Sequence, residues 1–269
     1  MEEDNTENIK LMKVSIITTT YNTRRTVGDT IKSVVSQTYP NIEYIVIDDE
    51  STDDTLDVVK KYSDKITKIV AAPHSGIFGA LNVGVKLATG DIVAILNSDD
   101  FYASNDVIET VVNRFEESSA DCVWGDMVVV DKDDVNKVIR NWKSRAYKEG
   151  AYQRGWHPPH PSFFVKRWAY EKYGLFRTDL WTSADYELVL RFVEKYKISS
   201  SYIPKVLTVM RNGGSSSKSL FNWIRGNVGA YRAFKLNGLK ISPFFIFRKP
   251  LGKLGQFLSI PRKHHSSCF

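Results

Sequence analysis

The sequence predicts an α/β fold: a mostly parallel sheet flanked by helices, then a half of mixed strand direction, then a basic helical C-terminal extension. Three observations carry this. Four short apolar, β-branched runs alternate with segments of helical spacing within about the first hundred residues. Polar clusters, two of them carboxylate pairs, follow three of those runs. After residue 100 the alternation stops, and after Glu194 no acidic residue occurs.

The elements follow in order. Val14–Thr20 is a β-branched run and reads as a buried strand. Val27, Ile31, Val34 and Val35 give 24–37 helical spacing, and Thr38-Tyr39-Pro40-Asn41 stops it. A second strand covers 42–47 and a helix 53–62, with Leu56, Val58 and Val59 as its apolar content. A third strand covers 66–71, a helix 77–88 ends at Thr89-Gly90, and a fourth strand covers 92–96. Beyond these the sequence predicts a helix over 105–116, strands over 122–130 and 137–142, and a loop over 143–160. A short strand over 162–165, a helix over 184–196, a strand over 202–209 and an amphipathic basic helix over 219–236 complete the set.

Composition narrows the function classes. With 42% hydrophobic and 25% charged residues over 269 positions, disorder, collagen and a disulfide-stapled miniprotein are excluded. The two cysteines, Cys122 and Cys268, form no CxxC or Cys/His spacing, which argues against structural zinc and for a reducing, cytoplasmic compartment. The acidic start MEEDNTENIK is unlike a secretory signal, and no apolar run approaches the roughly 18–20 residues that span a bilayer. The net charge of +6 hides an asymmetry. Residues 1–194 hold 23 Lys and Arg against 31 Asp and Glu, whereas 195–269 hold 14 bases and no acid.

In parallel α/β sheets ligands bind at the carboxyl ends of the strands, where the polar clusters fall. After the fourth strand stands Asn97-Ser98-Asp99-Asp100. Adjacent carboxylates repel, and a hard divalent cation or sugar hydroxyls between them relieve that cost. A helix N-terminus is the competing explanation, because Asp and Asn are good caps. After the second strand stands Asp48-Asp49-Glu50-Ser51-Thr52. Ser51 and Thr52 suit the cap of the next helix, but Asp48 and Asp49 precede the turn, where a carboxylate can accept from a base imide N–H. After the first strand stands Thr19-Thr20-Tyr21-Asn22. A tyrosine there can stack on a planar base; packing for Tyr21 and helix capping for Asn22 are the alternatives.

These segments together resemble the nucleotide-sugar-binding half of glycosyltransferase family 2, over residues 13–100. The matching text is Val14-Ser15-Ile16-Ile17-Thr18-Thr19-Thr20-Tyr21-Asn22, Ser36-Gln37-Thr38-Tyr39-Pro40-Asn41-Ile42-Glu43, the run from Ile47 to Thr55, the stretch from Gly76 to Gly90, and Leu96-Asn97-Ser98-Asp99-Asp100. The resemblance implies a Rossmann-like A-type fold and an inverting transferase of hexosyl or N-acetylhexosaminyl type. The donor would be a nucleoside diphosphate sugar, a UDP-sugar, and the acceptor a hydroxyl on a glycan or lipid-linked glycan. It implies nucleotide contacts from Thr19, Tyr21, Asn22, Asp49, Asn82 and Asp99, and Mn²⁺ or Mg²⁺ held by Asp100.

The resemblance continues to about residue 210. His160-Pro161-Ser162-Phe163-Phe164 is similar to the family's His-x-x-x-Phe strand beside the acceptor, and Trp181-Thr182-Ser183-Ala184-Asp185 resembles the segment that carries the catalytic carboxylate, which implies Asp185 as base. Asp126 is a further acceptor-side candidate. A loop histidine satisfied by backbone and an N-cap are the structural alternatives for His160 and Asp185. One departure stands out: His74 and Gly79 occupy positions where close relatives often carry charge.

The expected organisation is a flexible arm over 1–12, a catalytic domain over 13–210 (13–103 for the nucleotide sugar, 104–210 for the acceptor) and a basic extension over 211–269. In the extension Lys218, Arg225, Arg232 and Lys235 share one helix face and Leu220, Ile224, Val228 and Tyr231 another. Bases interleaved with Phe244, Phe245, Phe247 and Phe257 suggest an anionic membrane surface for 218–263, placing the protein peripherally on the inner face. No helix-turn-helix, zinc or RNP signature supports nucleic acid. A neighbouring subunit's acidic half is a third option, and the oligomeric state is open. Two other function classes compete. A sugar nucleotidyltransferase needs a Gly-rich phosphate loop after the first strand, where no glycine occurs before Gly28; a non-catalytic nucleotide-binding module would not need Asp100 and Asp185.

Overall fold

The computed structural model describes residues 11–72, 74–213, 220–242 and 245. The first half alternates as expected: β1 (Val14–Thr20), α1 (Val27–Val35), β2 (Ile42–Asp48), α2 (Thr55–Lys60), β3 (Lys68–Ala71), α3 (Gly76–Leu87) and β4 (Ile92–Ile95). Then come β5 (Phe101–Tyr102), α4 (Val107–Ser118), β6 (Cys122–Val130), β7 (Val138–Trp142), β8 (Phe163–Lys166), α5 (Trp168–Tyr173), α6 (Ala184–Leu190), β9 (Ser200–Arg211) and α7 (Leu220–Leu236). Short 3₁₀ turns at His160–Ser162 and Thr178–Ser183 precede β8 and α6.

Among the described residues these strands form one sheet in the order β3-β2-β1-β4-β8-β6-β9-β5, with β7 paired to β6. The first four are parallel; β8 runs antiparallel to both β4 and β6, and β9 is parallel to β6. The predicted mostly parallel sheet with a mixed second half is therefore the observed one. Register aligns the strand ends: Thr20 lies opposite Asp48, and Asp48 opposite Ala71. That alignment brings the β1, β2 and β3 loops to one edge.

Both faces of the sheet are covered, which explains why β1 and β2 are continuous apolar runs rather than alternating ones. Ile17, Ile45 and Ile47 face one core with Leu81 and Val85 of α3, while Ile16, Tyr44 and Val46 face the other with Ile31 and Val34 of α1. Gly84 lets α3 lie close on β1: a Cβ there would come within 2.4 Å of Ile17 Cγ2.

The second half closes around a buried ion pair. Arg191 donates twice to Glu187 (3.0 and 3.1 Å) and once each to the carbonyls of Tyr173, Gly174 and Leu175. Asn237, just past α7, adds a bond to Glu187 Oε1 at 2.9 Å. Removing one partner of such a pair strands a buried charge, which costs about 3–5 kcal/mol. Arg191→Leu is therefore expected to lose about that much unfolding free energy, read from the urea midpoint; a loss below ~1 kcal/mol would show that the pair is not holding this half together.

Several expectations change. The helix expected over 184–196 is α6 followed by a π-helical turn at Arg191–Lys195. The two-residue β5, α5 and the 178–183 turn were not expected. Arg211 ends β9, so the boundary set at 211 falls inside a strand. Of the face shared by Leu220, Ile224, Val228 and Tyr231, Val228 is 45% exposed, while Ala230, Ala233 and Phe234 are buried. Residues 1–10 of the expected arm lie outside the described residues, and so do 218–219, 243–244 and 246–263 of the expected membrane-binding segment. No helix among the described residues is long and apolar enough to cross a membrane.

Candidate functional site

The candidate site lies along the carboxyl edge of β1, β2 and β4, where the second half meets it. Non-glycine residues rarely take positive φ, yet Asn22 (φ 52°), Glu50 (φ 59°) and His74 (φ 24°) each do so in the loops after β1, β2 and β3. Such clustering of strained backbone at one edge marks a functional surface. Tyr21 stands there half in solvent, at 52% exposure, with the ring of His74 edge-on at 6.5 Å. His74 Nε2 in turn lies 3.2 Å from Glu50 Oε2. An exposed tyrosine face beside these groups is suited to a planar base.

The other residues expected at the nucleotide divide into those near open space and those already engaged. Thr19 is buried one position before the end of β1. Asp49 accepts from the backbone N–H of Ser75 at 3.0 Å and lies at the same edge. Asp48 is a turn residue: it accepts from Thr20 Oγ1 (2.7 Å), Ser51 N (2.9 Å) and Ser51 Oγ (2.6 Å), so the turn accounts for it after all. Asn22 does not cap α1. Its side-chain oxygen accepts from the backbone of Thr52 and Asp53, which ties the β1 loop to the β2 loop. Asn82 is engaged at both ends of its amide with the backbone of Phe176, each bond 2.9 Å, which ties α3 to the segment just before the 178–183 turn.

The two carboxylates of the Asp99–Asp100 pair differ in exposure. Asp100 is 1% exposed; its carboxyl accepts from Asn97 Nδ2 (3.1 Å) and the backbone N–H of Arg211 (3.2 Å). Burial, and then the charge of Asp99, push its carboxyl up to about 8 against the opposing pull of Asn97, His160 and Arg211. Asp99 is only partly buried. Asp99 is therefore the more accessible of the two carboxylates. No cluster of three or more His, Cys, Asp or Glu able to hold a metal ion exists among the described residues. Two adjacent carboxylates, one partly exposed and one buried, are oxygen donors of the kind a hard divalent cation takes, with its remaining ligands coming from water or phosphate.

His160 and Asp185 come together from two elements. His160 opens the 3₁₀ turn before β8, and Asp185 lies in the first turn of α6. Nδ1 of His160 sits 2.9 Å from Oδ2 of Asp185, with 38% and 23% of the two side chains exposed. Burial alone would raise the Asp185 carboxyl, but the charge and hydrogen bond of His160, the backbone N–H of Tyr186 and the charge of His157 together pull it down to about 2. His160 lowers Asp100 as well, so the β4 turn and Asp185 share one electrostatic neighbourhood. The structure thus joins the two carboxylate centres that the sequence separates by more than eighty residues.

Asp126 does not face open space. It is 7% exposed and accepts from Ser144 N and Tyr202 OH, both at 2.7 Å, which anchors the 143–160 loop. Two contributors were not anticipated. Arg211 donates to Asp29 Oδ2 (2.5 Å) and to the Asp99 carbonyl (3.2 Å), so the end of β9 grips the carboxylate turn. His157 sits edge-on to Trp142 and Tyr186, at 5.0 and 5.1 Å, beside the Asp185 segment. Neither has a local sequence signal.

Comparison with known proteins adds to this geometry. The model of the family described as "Glycosyl transferase family 2" matches residues 15–173. Escherichia coli WfaP, a UDP-Glc:alpha-D-GlcNAc-diphosphoundecaprenol beta-1,3-glucosyltransferase, is 41% identical over 97 residues, 35% of this chain and 38% of that protein. The chain spans 38 to 55% of the length of three such curated relatives. Among solved structures, S. aureus TarS 1–349 in complex with UDP superposes with a TM-score of 0.62 at 20% identity, covering 85% of this chain and 67% of that one. The mannosyltransferase PcManGT from Pyrobaculum calidifontis, in complex with GDP-Man and Mn²⁺, gives 0.63 at 20% identity, covering 88% and 69%. At that identity the structural likeness speaks to the fold.

Proposed function

Because the chain belongs to glycosyl transferase family 2, and is therefore a glycosyltransferase, we propose that it transfers a sugar from a UDP-sugar to a hydroxyl of a lipid-linked glycan, with inversion at the anomeric carbon. The observation that carries this reading is the partly open Asp185–His160 pair, whose histidine charge also reaches Asp100. The donor and acceptor classes are supported by what WfaP is named for.

In this reading Tyr21, Thr19 and Asp49 frame the nucleotide at the ends of β1 and β2, and Asp99 holds the divalent cation. Bound there, Mn²⁺ or Mg²⁺ would supply positive charge to the departing diphosphate. Asp185 accepts the proton of the acceptor hydroxyl on the opposite side of the anomeric carbon. A carboxylate held near 2 is a weak base, but it is ionised throughout the neutral range. As the new C–O bond forms the attacking oxygen becomes positive and its proton strongly acidic, so a well-aimed weak base suffices. His160 aims it through the 2.9 Å contact.

The test is a panel of UDP-sugars with a short lipid-diphosphate-linked N-acetylglucosamine acceptor, with and without Mn²⁺. Acceptor-dependent release of UDP is expected; release of pyrophosphate, or no turnover with any donor, would contradict the reading.

His160 makes a pH prediction. Its charge and hydrogen bond lower Asp185, and burial opposes them. In His160→Gln the carboxyl therefore rises, and the acid limb of kcat/KM moves to higher pH, with activity at pH 5 falling relative to that at pH 8. A lowered folded-state value also stabilises the fold above the ordinary carboxyl range and loses that stabilisation as pH falls toward 2. An acid limb that stays in place in the variant would remove His160 from this role.

A further inference from the structure

Helix α7 presents two different faces. Ala230, Ala233 and Phe234 are buried against the core, and Phe234 packs on Tyr186, the residue after Asp185, with ring centroids 6.5 Å apart. Gly229 brings the helix onto the turn before α6: a Cβ there would meet Ser183 Oγ at 2.4 Å, and Ser183 Oγ donates to the Gly226 carbonyl at 3.2 Å. The opposite face exposes Arg225, Arg232 and Lys235, with Val228 (45%) and Leu236 (43%) exposed between them. Asp179, which Arg177 holds ionised, is an acid whose charge reaches Arg232. No Asp or Glu occurs after Glu194 to offset these bases from the chain that follows.

A helix whose exposed side mixes cations with medium-sized apolar groups matches an anionic interface better than water. We propose that the outer face of α7 docks the protein on an anionic lipid bilayer, with Arg225, Arg232 and Lys235 at the headgroups and Val228 and Leu236 at the headgroup–acyl boundary. This rests on the proposed function in one respect, the lipid-linked acceptor. The helix touches the base-bearing turn on one side and the bilayer on the other. A helix is about 10–12 Å across, so docking holds Asp185 within little more than one helix width of the surface that carries the acceptor.

The experiment is flotation of the full chain with vesicles of phosphatidylcholine containing about 30% phosphatidylglycerol, against phosphatidylcholine alone. Binding to the anionic vesicles alone is expected, weakening as salt rises from ~0.1 to ~0.5 M. The combined Arg225→Gln, Arg232→Gln, Lys235→Gln variant should partition roughly a hundredfold more weakly, about fivefold for each base, with its unfolding temperature unchanged. Binding by that variant equal to the parent's, salt-insensitive binding, or retention of the parent on RNA with no flotation would overturn the proposal. Flotation needs no sugar transfer, so it stands or falls separately from the UDP-release assay.

Discussion

Asp185→Asn is expected to lower kcat for transfer by about 10²- to 10⁴-fold, the usual contribution of a positioned general base. Asparagine keeps the size of the side chain and its place in the first turn of α6, but it cannot take a proton. The proposed donor contacts lie at the ends of β1, β2 and β4 rather than on α6, so the donor KM should change little. The ion pair with His160 is also lost, and the associated stability with it, which separates the two effects: unfolding shifts modestly, turnover collapses. Turnover within tenfold of the parent would mean that another group accepts the proton.

Asp99→Ala carries the second large effect. Removal of the carboxylate proposed to hold the cation should cost about 10²- to 10³-fold in kcat, the scale seen when one charge-stabilising group is deleted from a site. It should also raise the Mn²⁺ concentration needed for half-maximal rate. Asp100→Asn is the informative contrast. Burial and the charge of Asp99 push the Asp100 carboxyl up, toward the neutral form that an amide mimics. An amide preserves an acceptor for the Asn97 or Arg211 N–H. The Asp100→Asn variant should therefore keep most of its metal response. Loss of that response in Asp100→Asn and retention in Asp99→Ala would restore the assignment that the motif order suggests.

The first half of the fold was legible because its information is local. β1 and β2 are unbroken β-branched runs buried on both faces, and each is followed by a turn whose polar residues announce it. The carboxylate pair and the tyrosine at the strand ends could be placed on one edge by alternation alone. Individual roles were less legible, since they depend on partners far along the chain. Asn82 reads as a polar group in a motif, but it is spent on Phe176, 94 residues away. Asp126 is spent on Tyr202, 76 residues away. Arg211 reaches Asp100 across 111 residues, and only the pairing of β9 with β5 brings it there.

The packing of α7 has a different basis. Spacing alone puts Leu220, Ile224, Val228 and Tyr231 on one face, whereas the helix meets the 178–183 turn at Gly226 and Gly229, and buries Ala230, Ala233 and Phe234. The resulting outward face, basic with interspersed apolar groups, follows from geometry rather than from the largest side chains.

If Asp185 activates the acceptor for direct displacement of the diphosphate, the stereochemistry of the product reports it. With a UDP-α-sugar as donor, the proton coupling at the anomeric carbon of the new linkage should report a β configuration. An α linkage, which requires retention and a second nucleophilic event, would contradict the account.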